Sequence, residues 1–252
     1  MTKSRVADQI VEHLRERILT GALPDGARLP AERELAEEYG VSGATVRESV
    51  RVLSAMGLVS VQHGTGSFVT AETDTMVGLS IASVVRLAGA GVTEVLGVLA
   101  ALNRYAATLA VRAATDEEIA SMRATAEQLA VVDDVTTTAR ALRDYLRGLS
   151  ELSHNPLLIA LCRYLADIQV ELALDISGGN LDDWRRVVGA LHEDRFALVE
   201  ALESRDADRA AAVLESHSER AVEVILSTHR AQDARGSDPD FARLLSALLQ
   251  RR

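Results

Sequence analysis

Val6, Ile10, Leu14 and Ile18 recur every fourth residue, with Val11 beside them. This spacing predicts an amphipathic helix from about Arg5 to Thr20, and Gly21 stops it. Leu23-Pro24-Asp25-Gly26 reads as a turn. Leu29-Pro30 leads into a second helix, Ala31 to Tyr39, with Leu35 and Ala36 inward and Gly40 as its stop. A third helix begins within Val41-Ser42-Gly43-Ala44-Thr45-Val46-Arg47-Glu48-Ser49-Val50 and runs to Met56, where Gly57 ends it. Val46, Val50 and Leu53 mark its inward face, which leaves Ser42, Thr45 and Arg47 for the start and the outer side. The period then changes to two. Leu58–Gln62 alternates as a strand, His63-Gly64-Thr65-Gly66 is a tight glycine turn, and Ser67-Phe68-Val69 returns. Three helices and a two-stranded hairpin predict a winged helix-turn-helix over residues 1–70.

Thr70-Ala71-Glu72-Thr73-Asp74-Thr75 is small and polar, so residues 71–76 are expected to form a short linker. From there the pattern is helical almost throughout. Helices are expected near 76–89, 92–113, 116–131, 135–152, 156–175, 182–204 and 206–229. Their boundaries come from Gly89-Ala90-Gly91, Thr115-Asp116-Glu117-Glu118, Asn155-Pro156, Gly178-Gly179-Asn180 and Arg205-Asp206. The expected fold class is therefore mostly α, with an N-terminal winged domain and a C-terminal all-α helical bundle over 77–230. Residues 231–252 are expected to form a tail with a short helix near 239–250.

Charge and composition narrow the chemistry. The net charge is −10, yet residues 1–70 carry 8 Lys/Arg against 9 Asp/Glu, and the acidic excess lies downstream. A few placed arginines can dominate locally, so nucleic acid is not excluded. A helix that buries one stripe and offers hydroxyls and an arginine from its first turn suits the DNA major groove. A hairpin tip as slight as His63-Gly64 suits the minor groove, though an ordinary surface hairpin has the same pattern. No uninterrupted apolar run reaches 18 residues, so no membrane span is expected. A single cysteine, Cys162, rules out an internal disulfide framework and fits the cytoplasm; in its apolar helix it reads as a core residue. His13, His154 and His229 are scattered, and Asp133-Asp134 and Asp182-Asp183 read as helix-end charges. No phosphate-cradling loop or catalytic triad spacing is found, and an enzyme is not expected.

Several motifs agree in order and spacing with one family. Leu29-Pro30-Ala31-Glu32-Arg33-Glu34-Leu35-Ala36, the Val41-Ser42 turn, Thr45-Val46-Arg47-Glu48, and Gly57-Leu58-Val59 through Gly64-Thr65-Gly66-Ser67-Phe68-Val69 resemble the DNA-binding domain of GntR-type bacterial transcription regulators. The resemblance implies DNA contacts by Arg33, Ser42, Ala44, Thr45 and Arg47, with His63 and Gly64 in the minor groove. It implies a homodimer on a near-palindromic operator, more often a repressor. The chain departs from the family at Gly43, where an arginine is usual. The missing contact is of a kind worth about 1–3 kcal/mol.

The helical part resembles the effector-binding domain of the FadR branch. The resemblance rests on Arg112-Ala113-Ala114-Thr115-Asp116-Glu117-Glu118-Ile119, Ser153-His154-Asn155-Pro156-Leu157-Leu158, and Glu200-Ala201-Leu202 followed by Asp206 and His217. Most such members hold a divalent metal with an aspartate and three histidines. Here those positions fall at Leu142, Leu146, Arg195 and His217, the last two 22 residues apart, so no metal or other cofactor is expected. The arginine and glutamate that commonly bind small carboxylates correspond to Leu99 and Asn103. Two readings follow. The cavity takes a larger apolar ligand, such as a fatty acid or acyl-CoA, or another organic acid, with Arg195 or His217 meeting its charge. Alternatively Leu99, Leu142 and Leu146 fill the core and no effector binds. A buried Arg195 needs a partner, which Asp144, Glu193 or Asp194 could equally provide.

Overall fold

In the computed structural model, which describes residues 3–62, 64–70 and 73–227, the chain divides into two compact units, Met1–Met76 and Val77–Arg252. The first is built on α1 (Lys3–Leu19), α2 (Glu32–Tyr39) and α3 (Gly43–Ala55). The fourfold apolar spacing buries Ile10, Leu14 and Ile18 of α1 against Leu35, Val46 and Leu53. Glu34 caps α2 by accepting from the Ala31 amide at 2.8 Å, and Gly40 ends it in the left-handed region at φ 63°. Glycine takes that conformation most readily, so Gly40 suits the sharp entry into α3. Ser49 of α3 is wholly buried. Its hydroxyl donates toward the carbonyls of Ala7 (3.2 Å) and Thr45 (3.1 Å), which ties α3 to α1.

β1 (Val59–Gln62) and β2 (Gly66–Val69) pair antiparallel, Val59 opposite Val69 and Gln62 opposite Gly66. The segment before α2 adds to the free edge of β2: the Leu29 amide donates to Ser67 and the Val69 amide to Ala27, each at 2.8 Å.

The second unit comprises α4 (Thr73–Ala88, which begins within the first unit's span), α5 (Val92–Ala113), α6 (Asp116–Gln128), α7 (Val135–Glu151), α8 (Pro156–Ser177), α9 (Leu181–Gly189), α10 (His192–Glu203) and α11 (Ala207–Leu226). The mostly α architecture is the one the periodicity predicts. Thr115 and Glu118 form a reciprocal capping box at the start of α6. Asn155 caps α8 just before Pro156, Asn180 caps α9 and Asp206 caps α11. Ala106, Ala107 and Ala110 of α5 are fully buried, and such small side chains let the neighbouring helices approach closely. Between α7 and α8, Asp167 accepts from Arg147 at 2.7 and 2.8 Å and lies 3.3 Å from Arg143, which also reaches Glu171 at 3.0 Å.

Two expectations need correction. The single helix at 182–204 is two, α9 and α10, broken at Ala190-Leu191. Leu191 there adopts φ −113° and ψ 15°, outside the helical region, and the apolar period runs across the break because both halves face the same core. The expected linker is shorter than drawn, since α4 already begins at Thr73. By length and composition alone α5, whose most apolar window has a mean hydropathy of 1.3, could cross a membrane, although isolated polar residues interrupt its apolar run. In the fold α5 is a core helix that packs on α7, α8 and α11. The helix expected at 239–250 lies outside the described residues.

Candidate nucleic-acid interface and ligand cavity

Ser42 caps α3, accepting from the Thr45 amide at 3.3 Å. Thr45 does not lie on the outer side as expected. It is 6% exposed, because at the third helical position its hydroxyl folds back to the Ser42 hydroxyl, 2.9 Å away. The surface of α3 is therefore made by Ala44, Arg47, Glu48 and Arg51. Arg51 was not singled out from the sequence, although its place one turn after Arg47 was a readable signal. Gly43 opens α3, and a side chain built there would meet nothing within 4 Å.

The exposed arginines have weak partners. Arg47 lies 3.6 Å from Glu32, Arg51 lies 3.7 Å from Glu48, and Arg33 donates to Glu37 at 2.9 Å. Exposed pairs of this kind contribute about 0–1 kcal/mol, so a phosphate or base edge displaces the carboxylates at little cost. In the hairpin, Gly64 is exposed at φ 77°, and His63 lies outside the described residues. Gly66 holds φ 124°, and the Arg28 guanidinium lies so close that a Cβ would meet its Nε at 3.0 Å. Exposed Arg28 thus runs along the wing. No local pattern marked it, because the pairing of residues 27–29 with β2 is what carries it there.

In the helical unit, Leu142 and Leu146 of α7, Arg195 of α10 and His217 of α11 line one cavity of about 30 Å³. Leu146 and His217 also line an adjoining cavity of about 10 Å³, which Asn103 of α5 enters. Leu99 is buried in the core and lines neither. Arg195 is 2% exposed; its Nη2 donates to the Val188 carbonyl near the end of α9, and its own carbonyl accepts from the Tyr145 hydroxyl at 3.3 Å. Nη1 has no hydrogen-bond partner among the described residues. None of the three acids weighed as its partner takes that role. Asp144 and Glu193 are exposed, and Asp194 is paired with Arg220, whose Nε donates to it at 2.9 Å. Burial, reinforced by the Arg195 charge, pushes His217 down to about 4. The Asp194 carboxylate 3.6 Å away, already committed to Arg220, does not reverse this. Burial also lowers Arg195 to about 10.

The four positions do not suit a metal. Two leucines offer no lone pairs and a guanidinium repels a cation; among the described residues no group of three or more His, Cys, Asp or Glu could hold one. Cys162 is buried, and burial raises its thiol to about 11. A wider cleft of about 510 Å³ beside α6 and α7 carries charges of both signs, with Arg163 on Glu151 and His154 on Glu118, each at 2.9 Å.

Residues 6–69 match the family described as bacterial regulatory proteins, gntR family, and residues 94–220 match the FCD domain. The chain belongs to the GntR family. This GntR regulator is 31% identical over 164 residues to Rv0494 of Mycobacterium tuberculosis, an HTH-type transcriptional regulator, covering 65% of this chain and 68% of that protein. It is 28% identical over 225 residues to the HTH-type transcriptional repressor NanR of an Enterobacter species, covering 86% and 84% respectively. Among solved structures it resembles Streptococcus agalactiae GntR, with a TM-score of 0.57, 18% identity, and 86% and 98% of the two chains covered; that likeness concerns the fold. The chain is a DNA-binding transcription regulator with an FCD effector-binding domain.

Proposed function

We propose that this regulator works in the cytoplasm as a homodimeric repressor. It reads a near-palindromic operator and is released from it by an organic acid taken into the FCD domain without a metal. The observation that carries the DNA reading is the outer face of α3, where Arg47 and Arg51 stand exposed one turn apart beyond the Ser42 cap. Ala44 shares that face, Arg33 stands exposed on α2, Thr45 acts from within by fixing the cap, and Arg28 and Gly64 belong to the wing; His63 is added from its place in the sequence. Repression is favoured by the likeness to a relative that is itself a repressor. Dimer formation is favoured by exposed Leu79, Val84 and Leu87 on α4 and Val98 and Tyr105 on α5, which a second copy would remove from water.

For the effector, a cavity of about 30 Å³ favours a small acid over a long acyl chain. The same small volume, walled by Leu142 and Leu146, favours a second reading in which the core is closed and no effector binds.

Operator binding is tested by selecting duplexes from a random pool at low salt. The expected outcome is an enriched, near-palindromic site whose affinity falls with salt. Failure to retain any duplex at low salt would sink the reading.

A further inference from the structure

We infer that the Arg195 guanidinium is the receptor for the carboxylate of a small aliphatic monoacid that enters the cavity between α7, α10 and α11. This rests on the reading of the helical unit as the effector-binding one and names what that unit takes.

Arg195 is almost wholly buried, and its Nη1 has no partner among the described residues. The Nη2 bond to Val188 satisfies one donor without supplying a counter-charge. Asp194, the buried one of the three candidate acids, is engaged by Arg220. A buried cation left in this state is unfavourable, and an anion that enters beside it relieves that cost directly. Carboxylate matches guanidinium in shape as well as charge, because two parallel N–H donors meet two oxygens.

The surroundings set the rest of the ligand. His217 shares the wall and adds a hydrogen-bonding group, and Arg195 is the single Lys or Arg among the residues that line the cavity, so the site suits one negative charge rather than two. Apart from Gln169 the remaining wall is aliphatic, with Leu142, Leu146, Val188 and Leu191 among its side chains. Those side chains accept a short hydrocarbon body, and one amide leaves most hydroxyls of a sugar or polyhydroxy acid without a partner. A cavity of about 30 Å³ exceeds the space one water needs and falls well short of a long acyl chain. Acetate, propionate and isobutyrate are therefore the probes of choice.

The test uses the full chain in thermal-shift and calorimetric titrations at neutral pH. Acetate, propionate and isobutyrate are compared with acetamide and propionamide, with succinate, and with zinc chloride. At least one monocarboxylate should raise Tm in a saturable way, while the amides, succinate and zinc leave it unchanged. Arg195→Met should be at least as stable as the unliganded wild type and blind to the acids. Arg195→Lys, which keeps the charge and loses the planar fork, should retain a weaker shift. Amides acting as well as acids, an undiminished shift in Arg195→Met, or stabilisation by zinc would overturn the assignment, as would acids without effect on wild type. Operator binding is measured in parallel on wild type and Arg195→Met. Intact operator binding with no response to any acid removes the receptor and leaves the regulator. Uptake of the acids by a protein that binds no duplex supports the receptor and removes the regulator.

Discussion

Single side chains carry the sharpest expectations. Arg47 is exposed on α3 and held only by Glu32 at 3.6 Å. Arg47→Ala should weaken operator binding at least tenfold without altering the fold or the oligomeric state, as read by gel shift beside sedimentation; undiminished binding would remove Arg47 from the interface. Gly43 offers the opposite experiment. Its Cβ position is open, so Gly43→Arg should fit without distortion and raise affinity for the selected operator or change the preferred base. His217 predicts a pH effect. Its pKa in the folded chain, about 4, lies below the ordinary value of 6.5, so between these values the unfolded state binds more protons. Stability from this group is complete above pH 6.5 and is lost as pH falls toward 4, by on the order of 2–3 kcal/mol. Denaturation across that range should be visibly flatter for His217→Gln than for wild type.

At the scale of elements, the recognition helix depends on its first turn. Ser42 accepts the Thr45 amide and pairs with the Thr45 hydroxyl, so Ser42→Ala should cost about 1 kcal/mol and loosen the residues that precede Arg47. Urea denaturation measures the first effect and operator affinity the second. The break between α9 and α10 has its own consequence. It leaves the Val188 carbonyl near a helix end, where the last carbonyls lack helical partners, and Arg195 fills that vacancy. A single helix through 182–204 would have kept that carbonyl for itself. The periodicity could not reveal the break, since a hydrophobic stripe reports which residues face inward and not whether the backbone between them is continuous.

At the scale of the molecule, the acidic excess sits outside the winged unit, which leaves its arginines to act on phosphate locally. The logarithm of operator affinity should therefore fall with the logarithm of salt by about 0.9 for each phosphate engaged. Arg51→Ala should shrink that slope by about 2 if two copies bind one operator and by about 1 if one does, which makes the salt titration a test of stoichiometry. What the sequence alone determined is the order and type of most elements, the two-part plan and the family. These are written locally, in apolar periods, in caps such as Thr115 and Asn155, and in motifs whose residues lie close together. What only the tertiary structure decided is which side chains meet. Thr45 turned inward because of a bond to its cap, and Arg28 came to the wing through strand pairing. Leu142, Leu146, Arg195 and His217 came together from three helices around a cavity that Leu99 does not reach. Burial and partner choice depend on contacts between residues far apart in the chain, and periodicity carries no information about those.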